Sequence, residues 1–316
     1  MSLPESLPVS PVLPVLPPAV RVLERGWLSA NNVLFVDGDD TALVDTGYCT
    51  HAGQTVALVA AALGDRPLRR IVNTHLHSDH CGGNAALQAR WQPRTFIPAA
   101  EAAKVRDWDR EALTFDATGQ ACPRFTFDGV LHDGDVVRLG AIDWQVIAAP
   151  GHDPHMFMLY APGERILISG DALWENGFGV IFPELDGESG FAEQGAALDR
   201  IAQLDVRLVI PGHGRCFTDV AEAVARARSR LDYLGAEPLR NATHAIRVLL
   251  KFKLLELQRA ERQALLAWMA ATPLMQRMRA RFMPGRAMDE IFDETVRALE
   301  KARALVVEGG SVVNRD

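Results

Sequence analysis

The run Thr74-His75-Leu76-His77-Ser78-Asp79-His80-Cys81-Gly82-Gly83 places four metal-grade ligands within six positions. Side chains alternate along extended backbone, so His75 and His77 point the same way from the end of a strand. Asp79 and His80 follow the turn and can face a second metal. The two glycines let the backbone turn tightly beneath. Neutral imidazole and carboxylate suit Zn²⁺, and iron or manganese also fits these ligand types.

The rest of the chain supplies such strand ends. Short β-rich runs at 20–23, 32–36 and 42–44 precede an apolar helical stretch from Gln54 to Leu63 that ends at Gly64. Arg70-Ile71-Val72-Asn73 then reads as a buried strand feeding the ligand loop, and 84–91 resumes helical character. A second half repeats the style, with strands at 136–139, 143–148, 156–160 and 165–168, a helix over 191–204 and a strand at 207–210. Two β-rich halves with helices between them suggest two packed sheets covered by helices, an α+β fold of the αββα kind. From about Thr218 the apolar spacing turns helical, over 219–234, 242–257, 261–271 and 289–304. The ending around Gly309-Gly310 reads as a β-hairpin, so the tail has a winged-helix-like outline. The division expected is a proline-rich arm (1–19), a catalytic domain (20–235) and a mostly helical C-terminal domain (236–316).

Composition narrows the partners. A net charge of −7 over 316 residues argues against nucleic acid, although residues 236–316 carry net +4 and the remainder −11. The four cysteines show no C-x-x-C spacing and read as reduced thiols. The N-terminus lacks a basic n-region, prolines interrupt its apolar stretch, and no run approaches membrane-spanning length. The expectation is a cytoplasmic protein with a small-molecule substrate and no membrane partner.

Three further segments offer ligands. Ala149-Pro150-Gly151-His152-Asp153, Ile168-Ser169-Gly170-Asp171-Ala172 and Ile210-Pro211-Gly212-His213-Gly214 each follow a strand. Singly, a His or Asp after a strand is more often a turn or capping residue than a ligand. The three share one context with the 75–80 run, a strand entering a glycine-containing loop, and that shared context favours a site.

With Leu43-Val44-Asp45-Thr46-Gly47 near the start, these motifs resemble the metallo-β-lactamase superfamily over roughly residues 20–217, in the family's usual order. The resemblance implies the αββα sandwich with its site at one edge of the two sheets. It also implies that His75, His77 and His152 hold one metal, that Asp79, His80 and His213 hold a second, and that Asp171 bridges them. Two divalent ions, zinc foremost with iron or manganese as alternatives, would acidify a shared water that attacks an ester-like carbonyl. Asp79 is the candidate catalytic carboxylate, able to carry the proton to the leaving group. Asp45 has two readings, an outer carboxylate behind the ligands or a strand-end turn residue.

One β-lactamase branch carries Cys where Asp171 stands, and the ligand set is instead similar to glyoxalase II and to thioester, lactone and RNA hydrolases. The second motif departs from the usual pattern, with His155 where glyoxalase-like chains carry glycine, and no basic cluster for glutathione is evident. His155 is either a packed loop residue or a substrate contact. The loop 173–183 offers Trp174, Phe178 and Phe182 as pocket walls, and Tyr48 is a further wall candidate. An apolar mouth suits an acyl chain or aromatic ester. The helical tail would shape the entrance or a homodimer contact. The function expected is a binuclear metallo-hydrolase acting on a thioester or lactone. The alternatives are a metal-dependent RNA or phosphodiester hydrolase and a mononuclear iron enzyme of the persulfide dioxygenase kind.

Overall fold

A computed structural model describes residues 14–315. The proline-rich arm expected over 1–19 therefore lies largely outside the described residues. The first sheet has six strands in sequential order, β1 (Val20–Leu23), β2 (Asn32–Asp37), β3 (Asp40–Val44), β4 (Arg70–Val72), β5 (Arg94–Pro98) and β6 (Gly129–Leu131). It is antiparallel from β1 to β3 and parallel from β3 to β6. Helices α1 (Ala52–Leu63), α2 (Ser78–Cys81), α3 (Asn84–Trp91), α4 (Ala102–Asp107) and α5 (Phe115–Thr118) fall between its later strands.

The second sheet runs β11-β10-β9-β8-β7, formed by β7 (Val136–Leu139), β8 (Ile142–Ala148), β9 (Phe157–Ala161), β10 (Ile166–Gly170) and β11 (Leu208–Pro211). Helices α6 (Pro183–Asp186) and α7 (Phe191–Gln203) precede β11, and α8 (Val220–Gly235) follows it.

The two-residue period of the strands builds four layers. Val33 and Phe35 of β2 and Val72 of β4 pack with Trp144, Leu159, Ile166, Ile168 and Ile210 of the second sheet. The alternate residues Leu34 and Ile71 face outward, with Leu43, against Val59, Leu63 and Leu87 of α1 and α3. On the other side Leu167 and Val209 face Leu198 and Ile201 of α7 and Ala223 and Ala227 of α8. Fully buried Trp144 meets Phe35 edge-on with centroids 5.5 Å apart, a geometry worth about 0.5–1.5 kcal/mol beyond area burial. The fold is the expected αββα sandwich.

The C-terminal part contains α9 (Pro238–Leu257), β12 (Arg259–Glu261), α10 (Arg262–Ala271), α11 (Pro273–Phe282), α12 (Met288–Lys301), β13 (Leu305–Glu308) and β14 (Ser311–Asn314). Its strands form a small sheet, β12-β14-β13, whose hairpin turns at Gly309-Gly310, both at positive φ. The core of this part also takes in Val180 and Leu185, which lie in the segment after Asp171. Tail and metal loop are thus packed as one body. No helix among the described residues is long and apolar enough to cross a membrane.

One sequence expectation needs correction. The apolar spacing in the tail gives no helix over 273–282, yet α11 forms there; its apolar residues Leu274, Met275 and Met278 are interleaved with Arg277, Arg279 and Arg281, which blurs the stripe. Asp79 and His80 follow the turn on the single helical turn α2, which opens directly after His77.

Candidate metal centre

Every histidine and aspartate singled out as a ligand lies at the carboxyl edge of the two sheets. His75 and His77 leave β4, His152 follows β8, Asp171 follows β10 and His213 follows β11. His75, His77 and His152 form one group, Asp79, His80 and His213 another, and Asp171 sits with His75 and His80.

Hydrogen bonds behind the rings decide which nitrogens face inward. His152 Nδ1 donates to the carbonyl of Val180 at 2.6 Å, leaving Nε2 as the lone-pair nitrogen. The Thr74 hydroxyl donates to Asp45, so it accepts from His75 Nδ1 at 3.1 Å and leaves His75 Nε2 with a lone pair. His77 Nδ1 meets these two nitrogens at 3.1 and 2.8 Å. Burial pushes the His77 and His152 imidazoles down to about 4. Neutral nitrogens so crowded repel unless a cation lies between them, and the donor set fits a divalent ion.

The second group is built the same way. His80 Nδ1 donates to Asp45 Oδ2 at 2.8 Å, and Asp45 also accepts from the Thr74 backbone N–H at 2.9 Å. His80 Nε2 is fully buried without a hydrogen-bond partner. It points at Asp171 Oδ1, 3.4 Å away. Burial pushes the His80 ring down and the facing Asp171 and Asp45 carboxylates push it up further, so without metal the ring holds a proton that a cation would displace. His213 Nε2 faces Asp79 Oδ2 at 3.1 Å and Asp171 Oδ2 at 3.8 Å. Burial raises the Asp79 and Asp171 carboxyls, but the histidines around them hold both below the usual range.

Asp171 reaches both groups, because its Oδ2 also lies 3.4 Å from His152 Nε2. Two glycines permit this closeness. A Cβ on Gly212 would collide with Asp171 Oδ1, and one on Gly179 with the His152 ring. Of the two readings of Asp45, the outer carboxylate is the one its contacts support.

A narrow space of about 90 Å³ lies over the centre, walled by Trp27, Trp174, Val180, Phe182, Val248 and Phe252 among others. Of the expected walls, Phe182 packs on His77 and His152, with centroids 5.1 and 5.6 Å away. Trp174 also lines this space, whereas Phe178 lines a neighbouring chamber. Tyr48 is not a wall. It is fully buried, its hydroxyl accepts from the Ala121 N–H at 3.1 Å, and it props Phe252 edge-on at 5.2 Å. His155 stands outside the space, its Nδ1 on the Glu101 carboxylate and its backbone N–H on Asp153. Sequence reasoning missed Trp27, which stacks on His213 at 5.5 Å, and the α9 residues; an isolated tryptophan in a loop gives no signal of its own.

Residues 25–213 match the metallo-β-lactamase superfamily. The chain belongs to that superfamily. A hydroxyacylglutathione hydrolase of Dechloromonas aromatica is 33% identical over 171 residues, 54% of this chain and 52% of that protein. The chain spans about half the length of such curated relatives. A β-lactamase domain protein of Burkholderia ambifaria shares the fold, with a TM-score of 0.56 at 23% identity over 99% of this chain and 98% of its own. That coverage includes the C-terminal helices. A further solved structure, in a di-iron-bound form, has a TM-score of 0.51 at 25% identity over 66% of this chain and 96% of its own.

Proposed function

We propose that the chain is a binuclear metallo-hydrolase of ester-like carbonyls, with thioesters first and lactones second. The observation that carries this reading is the placement of Asp171 between the two ligand groups, with Oδ1 facing His80 and Oδ2 facing both His152 and His213. His75, His77 and His152 would hold one ion, Asp79, His80 and His213 the other, with Asp171 on both. Divalent ions bound there supply an acidified water and a Lewis acid for the substrate's carbonyl oxygen. Zinc is the proposed metal. Iron is the alternative, supported by the relative in a di-iron-bound form.

The chain's own residues do the rest. Asp79, whose side chain lines the space, would accept the proton of the attacking water and deliver it to the leaving group. In thioester hydrolysis, hydroxide adds to the acyl carbon, the C–S bond breaks, and the thiol leaves with that proton. Phe182, Val180 and Phe252 exclude bulk water, which strengthens each charge interaction inside. These apolar walls favour a small acyl substrate over nucleic acid. Free Cys49, Cys81, Cys122 and Cys216 support a cytoplasmic setting.

The test is metal-loaded protein offered thioester, lactone and phosphodiester substrates. Thioester hydrolysis that falls by at least about a hundredfold in His77→Ala supports the reading. Cleavage of phosphodiesters alone, or oxygen uptake on a persulfide, contradicts it.

A further inference from the structure

Beside the metal centre lies a second chamber of about 420 Å³. It shares Trp27, Trp174, Val180, Val248 and Phe252 with the narrow space over the ligands, so the two adjoin. One stripe of α9, His244, Arg247, Val248, Lys251, Phe252 and Leu255, lines it at helical spacing. Phe178 and Leu299 make the walls more apolar still.

The end away from the metals is cationic. Arg230, His244 and Arg247 line this chamber and the outer cleft beyond it, but not the metal space. Arg230 Nη2 bonds to His244 Nε2 at 2.8 Å, while its Nε is buried without a partner. Burial and the Arg230 charge push His244 down to about 4, so the neutral ring accepts that bond and adds no positive charge. Among the described residues, no carboxylate lies within ion-pair range of Arg230 or Arg247, whereas Arg240 nearby is paired with Glu237. Lys251 points its ammonium elsewhere, to the carbonyls of Ala304 and Arg315 at 2.8 and 2.7 Å. Two arginines outside any salt bridge at the end of an apolar passage, with Glu294 acting on Arg247 only at longer range, are matched by a single anionic group; a neutral ligand would leave the Arg230 Nε unsatisfied.

We propose that this chamber selects an amphipathic, singly anion-terminated substrate. The reacting carbonyl sits at the metal residues, an apolar segment crosses Val248, Phe252 and Phe178, and a terminal carboxylate or phosphate rests on Arg230 and Arg247. From Phe252 to Arg247 the helix rises roughly 7–8 Å, which sets the reach of the apolar segment. The proposal rests on the hydrolase reading above for its chemistry, but binding can be read without it.

The experiment uses two matched substrate pairs on metal-loaded protein. One pair of thioesters differs in the acyl end, methyl against carboxylate; the other differs in the leaving thiol, neutral against phosphate-bearing. Tryptophan fluorescence also follows the binding of a six-carbon dicarboxylate and of the matching monocarboxylate. The expected result is a kcat/KM preference of about tenfold or more for the anionic member of one pair, the scale of a charge-assisted hydrogen bond. That ratio falls towards one in Arg247→Ala and persists in Arg247→Lys. The pair that shows it identifies whether acyl chain or leaving group occupies the chamber. Hydrolysis without preference in either pair overturns the subsite and leaves the hydrolase reading standing. No hydrolysis, with tighter Arg247-dependent binding of the dicarboxylate, keeps the subsite and removes the hydrolase reading. Neither hydrolysis nor selective binding overturns both.

Discussion

The indole Nε1–H of Trp174 donates a 3.1 Å hydrogen bond to Asp171 Oδ1, the oxygen that faces His80. The two oxygens of Asp171 are therefore unequal. One is shared with an indole donor, while the other is left to His152 and His213. A carboxylate that reaches two ions is held in place by its outer partners as much as by the ions.

Trp174→Phe keeps a ring in the wall and removes the donor. Competition with a chelator should show weaker retention of one of the two ions, by about tenfold, with the fold unchanged. Equal retention of both ions in variant and parent would leave the indole a packing role only.

Asp45 has a positive φ of 57°, a conformation that asparagine tolerates, so Asp45→Asn tests the carboxylate without straining the backbone. Asp45 accepts a hydrogen bond from His80 Nδ1–H and thereby turns Nε2 inward. The variant should lose affinity for the second ion by about 10–100-fold while the first group binds normally. Metal titration followed by elemental analysis distinguishes that loss from a general one.

Gly212→Ala places a methyl group on Asp171 Oδ1 and within 2.9 Å of His80 Cε1. The two nearest atoms belong to candidate ligands and the third is the Gly170 backbone carbon at 3.1 Å, so relief comes chiefly from the ligands themselves. Hydrolysis should fall by at least about a hundredfold, with far-ultraviolet circular dichroism unchanged. Full activity would show that the two side chains can yield without loss.

Acid should weaken the tail through His244. Its ring titrates near 4 in the fold against 6.5 in an unfolded chain. Above pH 6.5 both forms are neutral and it contributes nothing. As the pH falls from 6.5 to about 4, the unfolded chain takes the proton first, so stability falls, by about 3 kcal/mol in all. Below that both are protonated and the loss is complete. Urea unfolding of parent and His244→Gln at pH 7 and pH 4.5 should show a smaller drop in the variant.

The ligand residues were legible because the chemistry admits few residue types and the glycine loops after β4, β8, β10 and β11 repeat one pattern. The four-layer sandwich was legible because strands buried on both faces are continuously apolar, as in 157–161 and 166–168. What surrounds the site was not. Tyr48 sits next in sequence to Gly47, but nothing in that adjacency says the ring turns into the core beneath Phe252. The partner that holds His155, Glu101, is 54 residues away. Arg230 and Arg247 lie on two different helices with no shared motif, and only the packing of α8 and α9 brings them together at one end of a chamber.

The most direct test of the two-metal account is elemental analysis of protein reconstituted with Zn²⁺, with thioester hydrolysis followed as metal is added. The account predicts about two ions per chain, activity that completes only with the second, and loss of that second equivalent in Asp171→Asn. Full activity at a single ion per chain, or protein that holds no metal under these conditions, would contradict it.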